Sequence, residues 1–164
     1  MKKLIIKTIL AAGIAAIALP ASAKTELQWW HAMGGNLGET VNTIAENYNA
    51  SQNDYVIIPT YKGGYEDTMT AGIAAFRAKQ QPHILQVFDA GAATIINAPG
   101  ATIPVADLMQ EYGQGFNIED YIEGVRYFYA DSDGKMIGMP FNASTPLLYY
   151  NKEAFTKAGV ANPP

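Results

Sequence analysis

Between Thr25 and Asn97 the chain repeats one arrangement three times: a run of strand formers, a polar or glycine turn, then an apolar stripe at helical spacing. TELQWWH, Thr25 to His31, is broken by Met33-Gly34-Gly35-Asn36, after which Leu37, Val41, Ile44, Ala45 and Tyr48 fall on one helical face. Tyr55 to Ile58 reads as a short strand that Pro59 closes. TYKGGYED follows, then a helix carrying Met69, Ile73 and Phe76 and ending at Gln80-Gln81-Pro82. HILQVF, His83 to Phe88, reads as a buried parallel strand, followed by the turn Asp89-Ala90-Gly91 and a short helix over Ala92 to Asn97. Strand-helix alternation of this kind predicts an α/β layer on a parallel sheet.

The later sequence is patterned more loosely. Helices are predicted over Val105 to Glu111, over Glu119 to Val125, and over Asn151 to Ala158, with Gly159 as a C-cap. Tyr127 to Ala130 and Lys135 to Met139 read as a hairpin around Asp133-Gly134, and Pro146 to Tyr150 as a further strand. Beyond the strand-helix alternation itself, no stretch of sequence is repeated.

The segment before Thr25 reads as a leader. MKK opens it, an apolar run containing Lys7 follows, and Ala21-Ser22-Ala23 supplies the small-x-small pattern of a signal-peptidase site. Cleavage after Ala23 and export to the periplasm are the expectation. Removing Lys2, Lys3 and Lys7 from the chain's 11 Lys and Arg leaves 8 against 15 Asp and Glu, a formal charge of −7 instead of −4. A surface of that sign argues against nucleic acid or an anionic membrane as partner. It leaves room for a small anionic ligand, which needs local donors and not a positive molecule. With 0 Cys the exported fold must rest on its own core, without disulfides. The ending Ala161-Asn162-Pro163-Pro164 directly after a helical pattern suggests a truncated chain.

Candidate chemistry clusters at the turns. In a parallel sheet all three fall at the carboxyl ends of the strands, where open α/β sheets bind ligands. In TYKGGYED the glycines let backbone approach a ligand, the helix start aims N–H groups at it, and Lys62 and Tyr65 add a charge and a hydroxyl. The spacing matches neither a Walker A loop nor G-x-G-x-x-G. A flexible turn is the plainer alternative. His31, Asp89 and Ser144 are the types of a hydrolytic triad, but no G-x-S-x-G elbow surrounds Ser144. His31 and His83 are too isolated for a metal site, and no metal or cofactor is expected. Asp131-x-Asp133-Gly134 is similar to a calcium loop until Lys135 and Asn142 spoil its ligand positions, so it reads as a turn. Trp29, Trp30, Tyr127, Tyr129, Tyr149 and Tyr150 have the chemistry to stack on a sugar, although half-buried strand aromatics are the commoner reading.

Three longer stretches carry a resemblance: WWHAMGG with VNTIAENYN, PTYKGGYEDTMTAGIAAFRAKQQPHILQVFDAG, and PFNASTPLLYYNKEAFTKAG. Over the whole mature chain they resemble the extracellular solute-binding proteins of bacterial ABC importers, and within them the receptors for sn-glycerol-3-phosphate and glycerophosphodiesters. The resemblance implies a periplasmic-binding-protein-like (type II) α/β lobe, here incomplete, residues 24–164 following a signal peptide at 1–23. The whole protein would then have two lobes and a hinge, close on its ligand, and carry no catalytic activity. Inner-membrane ABC permease subunits would be the partners. Carried over by position, the resemblance implies ligand contacts from Tyr65 and Ser144. Asp89 stands where the family usually has glutamate, one methylene longer, so its contact is either direct or bridged by water. Trp30 and His31 are weaker candidates on the same edge. The basic residue that grips the phosphate would come from sequence beyond Pro164. Another small sugar or polyol is the alternative ligand.

Overall fold

The computed structural model describes residues 23–161 apart from Pro99 and Gln114. The expected leader lies outside the described residues except for Ala23. The chain separates into two compact units that meet at the Gln86–Val87 boundary.

The first unit is the α/β layer. Strand β1 (Thr25–His31), helix α1 (Gly35–Ser51), strand β2 (Tyr55–Tyr61), helix α2 (Tyr65–Arg77) and strand β3 (Ile84–Leu85) follow in order. The strands lie β2-β1-β3, all parallel, with Thr25 opposite Tyr55 and His31 opposite Tyr61. β1 is therefore central, and the chain steps to one side of it and then to the other. Right-handed crossovers place α1 and α2 on opposite faces, and the carboxyl end of β1 becomes the point where strand order reverses. Trp29, Met33 and Val41 form the core beneath α1, with Ala32 and Ile57 packed against them. On α2, Gly72 is buried because a Cβ there would sit 2.6 Å from a Leu85 methyl; the missing side chain lets helix and strand close up.

Side chains complete this small sheet where backbone runs out. The Asn49 amide donates to Ile57 O and accepts from Ile57 N at 2.9 and 2.7 Å, acting as a ladder partner on the open edge of β2. His83 Nδ1 accepts from Gln28 N at 3.0 Å while His83 N donates to Gln28 O at 3.1 Å. Lys24 Nζ donates to Asn49 O and Gln52 O, closing the carbonyl end of α1 with a cation.

Three expectations for this unit are corrected. Pro59 does not end β2, which runs on to Tyr61; β2 is an edge strand, so a missing N–H is tolerated there. HILQVF gives only the two-residue β3, half exposed at Ile84, because no described strand covers its outer side. On α1 only Val41 and Ala45 of the stripe are buried, and Leu37 and Ile44 face outward.

The second unit holds short helices: α3 (Asp89–Ile96), α4 (Val105–Tyr112), a 3-10 turn (Ile118–Asp120), α5 (Glu123–Phe128) and α6 (Lys152–Lys157). The expected helix over Glu119 to Val125 is split in two around Tyr121. The hairpin reduces to one antiparallel bridge, Ala130 to Met136, because Tyr127 and Phe128 belong to α5. Its turn holds as expected: Gly134 has φ +80, and Asp131 Oδ1 accepts from Asp133 N and Lys135 N at 3.0 and 2.9 Å. Arg126 is buried and pairs with Glu119 at 2.9 Å, which raises its pKa further above the ordinary arginine value. α6 begins on Asn151, whose Oδ1 accepts from Ala154 N, and ends before Gly159 at φ +64. The strand expected over Pro146 to Tyr150 does not form. Leu148 and Tyr149 are 79% and 86% exposed.

Candidate functional site

Two of the three turns meet at the carboxyl edge of the first unit. β1 ends in His31, only 3% exposed, and its carbonyl is the hub of the edge. His31 O accepts from Lys62 N at 3.0 Å and from the Thr68 hydroxyl at 3.4 Å, tying β1 to the TYKGGYED turn and to α2. Thr68 is fully buried there. On the other side Gln86 N donates to Trp30 O, and Gln86 Oε1 accepts from Ala32 N, both at 2.9 Å. The first-strand turn is therefore braced by both neighbours.

Aromatic rings line this edge. His31 lies between Trp29 and Tyr61, with ring centroids 6.0 and 6.1 Å away. Met33 N donates to His31 Nδ1 at 3.3 Å. Burial pushes the His31 pKa below its ordinary value of 6.5. The unfolded chain then binds the proton more readily than the native one. The associated stability is fully present above about pH 6.5 and is lost as pH falls through the lowered native value. We expect thermal melts to show stability falling across this acidic window, and the slope to flatten in His31→Gln, which cannot protonate. An identical pH profile in the variant would refute the assignment.

Tyr65 is the first residue of α2 and is 40% exposed, so its ring stands at the edge and not in the core. Gly63, at φ +98, makes the turn that puts it there, and Gly64 caps the helix. The Asp67 carboxylate turns back to accept from Gly64 N at 3.1 Å. That corrects one expectation: the protein's own acid already occupies part of the N–H cradle of α2. α1 has no acidic residue in its first turn and no side-chain cap.

Asp89 and Ser144 belong to the second unit. Asp89 opens α3 instead of lying in a turn before it, and its Oδ1 accepts from Ala90 N at 2.8 Å. It lines a cavity of about 500 Å³ together with Ile96, Asn97, Phe128, Asp131 and Ser132. Ser144 lies exposed in a stretch without regular structure. The first unit thus brings Trp30, His31 and Tyr65 to one sheet edge, with Trp30 and His31 on opposite faces of β1, while Asp89 opens a helix and Ser144 lies in an irregular stretch of the second unit. Sequence reasoning missed Gln86. Its signal was a lone polar residue inside the apolar HILQVF run. Among the described residues no three His, Asp or Glu side chains converge as metal ligands.

The family model for bacterial extracellular solute-binding proteins matches residues 43–164. The chain belongs to that family. It is 53% identical over 146 residues to the sn-glycerol-3-phosphate-binding periplasmic protein UgpB of Agrobacterium fabrum, covering 88% of this chain and 34% of that protein. It is 47% identical over 166 residues to the UgpB of Rhizobium meliloti, covering 100% and 38%. The UgpB of Brucella abortus is 47% identical over 159 residues, covering 96% and 37%. The chain thus spans somewhat over a third of the length of these relatives, and the α/β layer on a parallel sheet is the family's part that it holds.

Proposed function

We propose that this chain is part of a periplasmic receptor that captures sn-glycerol-3-phosphate and related glycerophosphodiesters and delivers them to an ABC permease. The observation that carries the reading is the 53% identity to a protein named for binding sn-glycerol-3-phosphate. The edge geometry is consistent with it. A buried hub holds the turn, and the partly exposed Tyr65 opens α2 beside it at the reversal of strand order. Tyr65, Asp89 and Ser144 are the proposed ligand contacts, Trp30 and His31 the supporting ones. Export follows from the leader, with cleavage after Ala23. Residues 24–164 would form part of one lobe of a receptor with two.

The full product of the reading frame that carries this chain is the material for the test. Calorimetric titration should give binding of sn-glycerol-3-phosphate. In Tyr65→Ala the affinity should fall roughly 10–100-fold, the loss expected for one hydrogen bond to a charged group. Heat from a neutral sugar and none from glycerol phosphate would overturn the reading. That second possibility has one observation in its favour. Among the described residues the Asp89 cavity is lined by two carboxylates, Asp89 and Asp131, and by no cationic side chain, which suits hydroxyl groups better than a phosphate. A hydrolase acting through Ser144 is set aside by membership in a solute-binding family.

A further inference from the structure

We propose that the Lys62 ammonium is an anchor for the phosphate at the carboxyl edge of the first unit, held on Trp30 until the ligand arrives. This rests on the glycerol-phosphate reading above and names a residue of that site.

Lys62 N donates to His31 O at 3.0 Å, so the β1–β2 ladder runs one step beyond Tyr61 and carries Lys62 to the rim. Trp30 pairs with Thr60 in the sheet register. Side chains alternate along a strand, so Thr60 and Lys62 project on the face that Trp30 occupies. There Lys62 Nζ lies 3.9 Å from the centre of the indole ring.

Among the described residues the Lys62 ammonium makes no ion pair and no hydrogen bond; the indole face is its partner. An indole face holds an ammonium less strongly than a phosphate does, because a phosphate brings full negative charge and oxygen acceptors. A phosphate arriving at the rim therefore draws the ammonium off the ring, or shares it, without breaking an existing salt bridge. The other described cations of this unit are elsewhere. Lys24 closes the carbonyl end of α1, and Arg77 and Lys79 sit at the far end of α2. Crossover helices run against the strands, so those ends lie at the opposite edge of the sheet. Lys62 is thus the one described cation of the unit at the edge that carries Tyr65.

Charge gives the reason for such a group. A chain with 15 Asp and Glu against 11 Lys and Arg repels a phosphate overall, so capture depends on a local cation at the mouth of the site. Trp30 is then a positioning residue: it fixes the long Lys62 stem without neutralising the charge.

The test compares wild type, Lys62→Met and Lys62→Arg in the full product of the reading frame, titrated with sn-glycerol-3-phosphate at several salt concentrations. Methionine keeps the stem on Trp30 and removes the charge. We expect Lys62→Met to weaken binding about tenfold, to flatten the salt dependence of Kd, and to leave the unliganded melting temperature unchanged. Lys62→Arg should restore most of the affinity and the salt slope, since a guanidinium also stacks on indole and pairs with phosphate. Binding by Lys62→Met within twofold of wild type, with the wild-type salt slope, overturns the proposal. So does equal loss in both variants accompanied by a lower unliganded melting temperature, which marks a structural role. If wild type itself does not bind sn-glycerol-3-phosphate, the functional reading fails and this inference falls with it.

Discussion

We expect Gly63→Val to lower the stability of the first unit by about 3 kcal/mol and to remove the ligand binding proposed for the Tyr65 edge. Two costs combine. Gly63 has φ +98, a region that a β-branched residue enters only with strain. A Cβ at that position would also stand 2.8 Å from Asp67 Oδ2 and 2.9 Å from Asp67 Cβ. Asp67 must then swing away, and Gly64 N loses the carboxylate that caps α2. For a small unit this corresponds to a fall in melting temperature of about 15 °C. Gly64→Ala is the matched control. Gly64 has φ −67, and the nearest atom to its Cβ position is 3.7 Å away, so that variant should melt within a few degrees of wild type. Equal melting of Gly63→Val and Gly64→Ala would show that the turn does not hold the edge as described.

Val41→Asp abolishes the cooperative folding of the same unit. Val41 is 1% exposed beneath Trp29 and Met33, at the centre of a core with few members. An unpaired carboxylate there costs several kcal/mol before any packing loss, against a total stability of roughly 5–15 kcal/mol for a domain. Val41→Ala is the graded comparison and should cost about 2 kcal/mol, since it deletes two methyl groups and leaves a cavity. Near-ultraviolet circular dichroism from Trp29 reads the outcome. A retained signal and a sharp melt in Val41→Asp would mean that the core lies elsewhere. The same readout on Ile44→Ala should show little change, because Ile44 belongs to the outward side of α1.

How much of this was legible beforehand differs between the units for a physical reason. In the first, the period of the apolar residues and the glycine turns were enough to place β1, α1, β2 and α2, because each is long and its pattern is local. The same turns pointed to the carboxyl edge and to Tyr65. In the second unit the elements are three to eight residues long, below the length at which periodicity separates helix from strand. Tyr127 and Phe128, strand formers by propensity, went into α5. Pro146 to Tyr150 has a strand's composition and stays unpaired, since a strand exists only when a neighbouring edge accepts its hydrogen bonds. Residues 147–149 accordingly remain an exposed apolar run.

The amino-acid order alone settled the α/β class, the parallel sense of the sheet, the net acidity and the turns at which chemistry could gather. These are properties of local period, composition and charge. Only the tertiary structure decided the strand order β2-β1-β3, which makes β1 central and His31 O the hub. It also decided that Gln86 braces the first turn, that Asp67 fills part of its own helix cradle, and that Lys62 rests on Trp30. The Gln86 and Lys62 contacts depend on residues far apart in sequence meeting across the sheet, and the free energy of such meetings is set by geometry that no local pattern contains; the Asp67 contact spans only three residues and depends on how the turn at Gly63 presents Gly64 N to it.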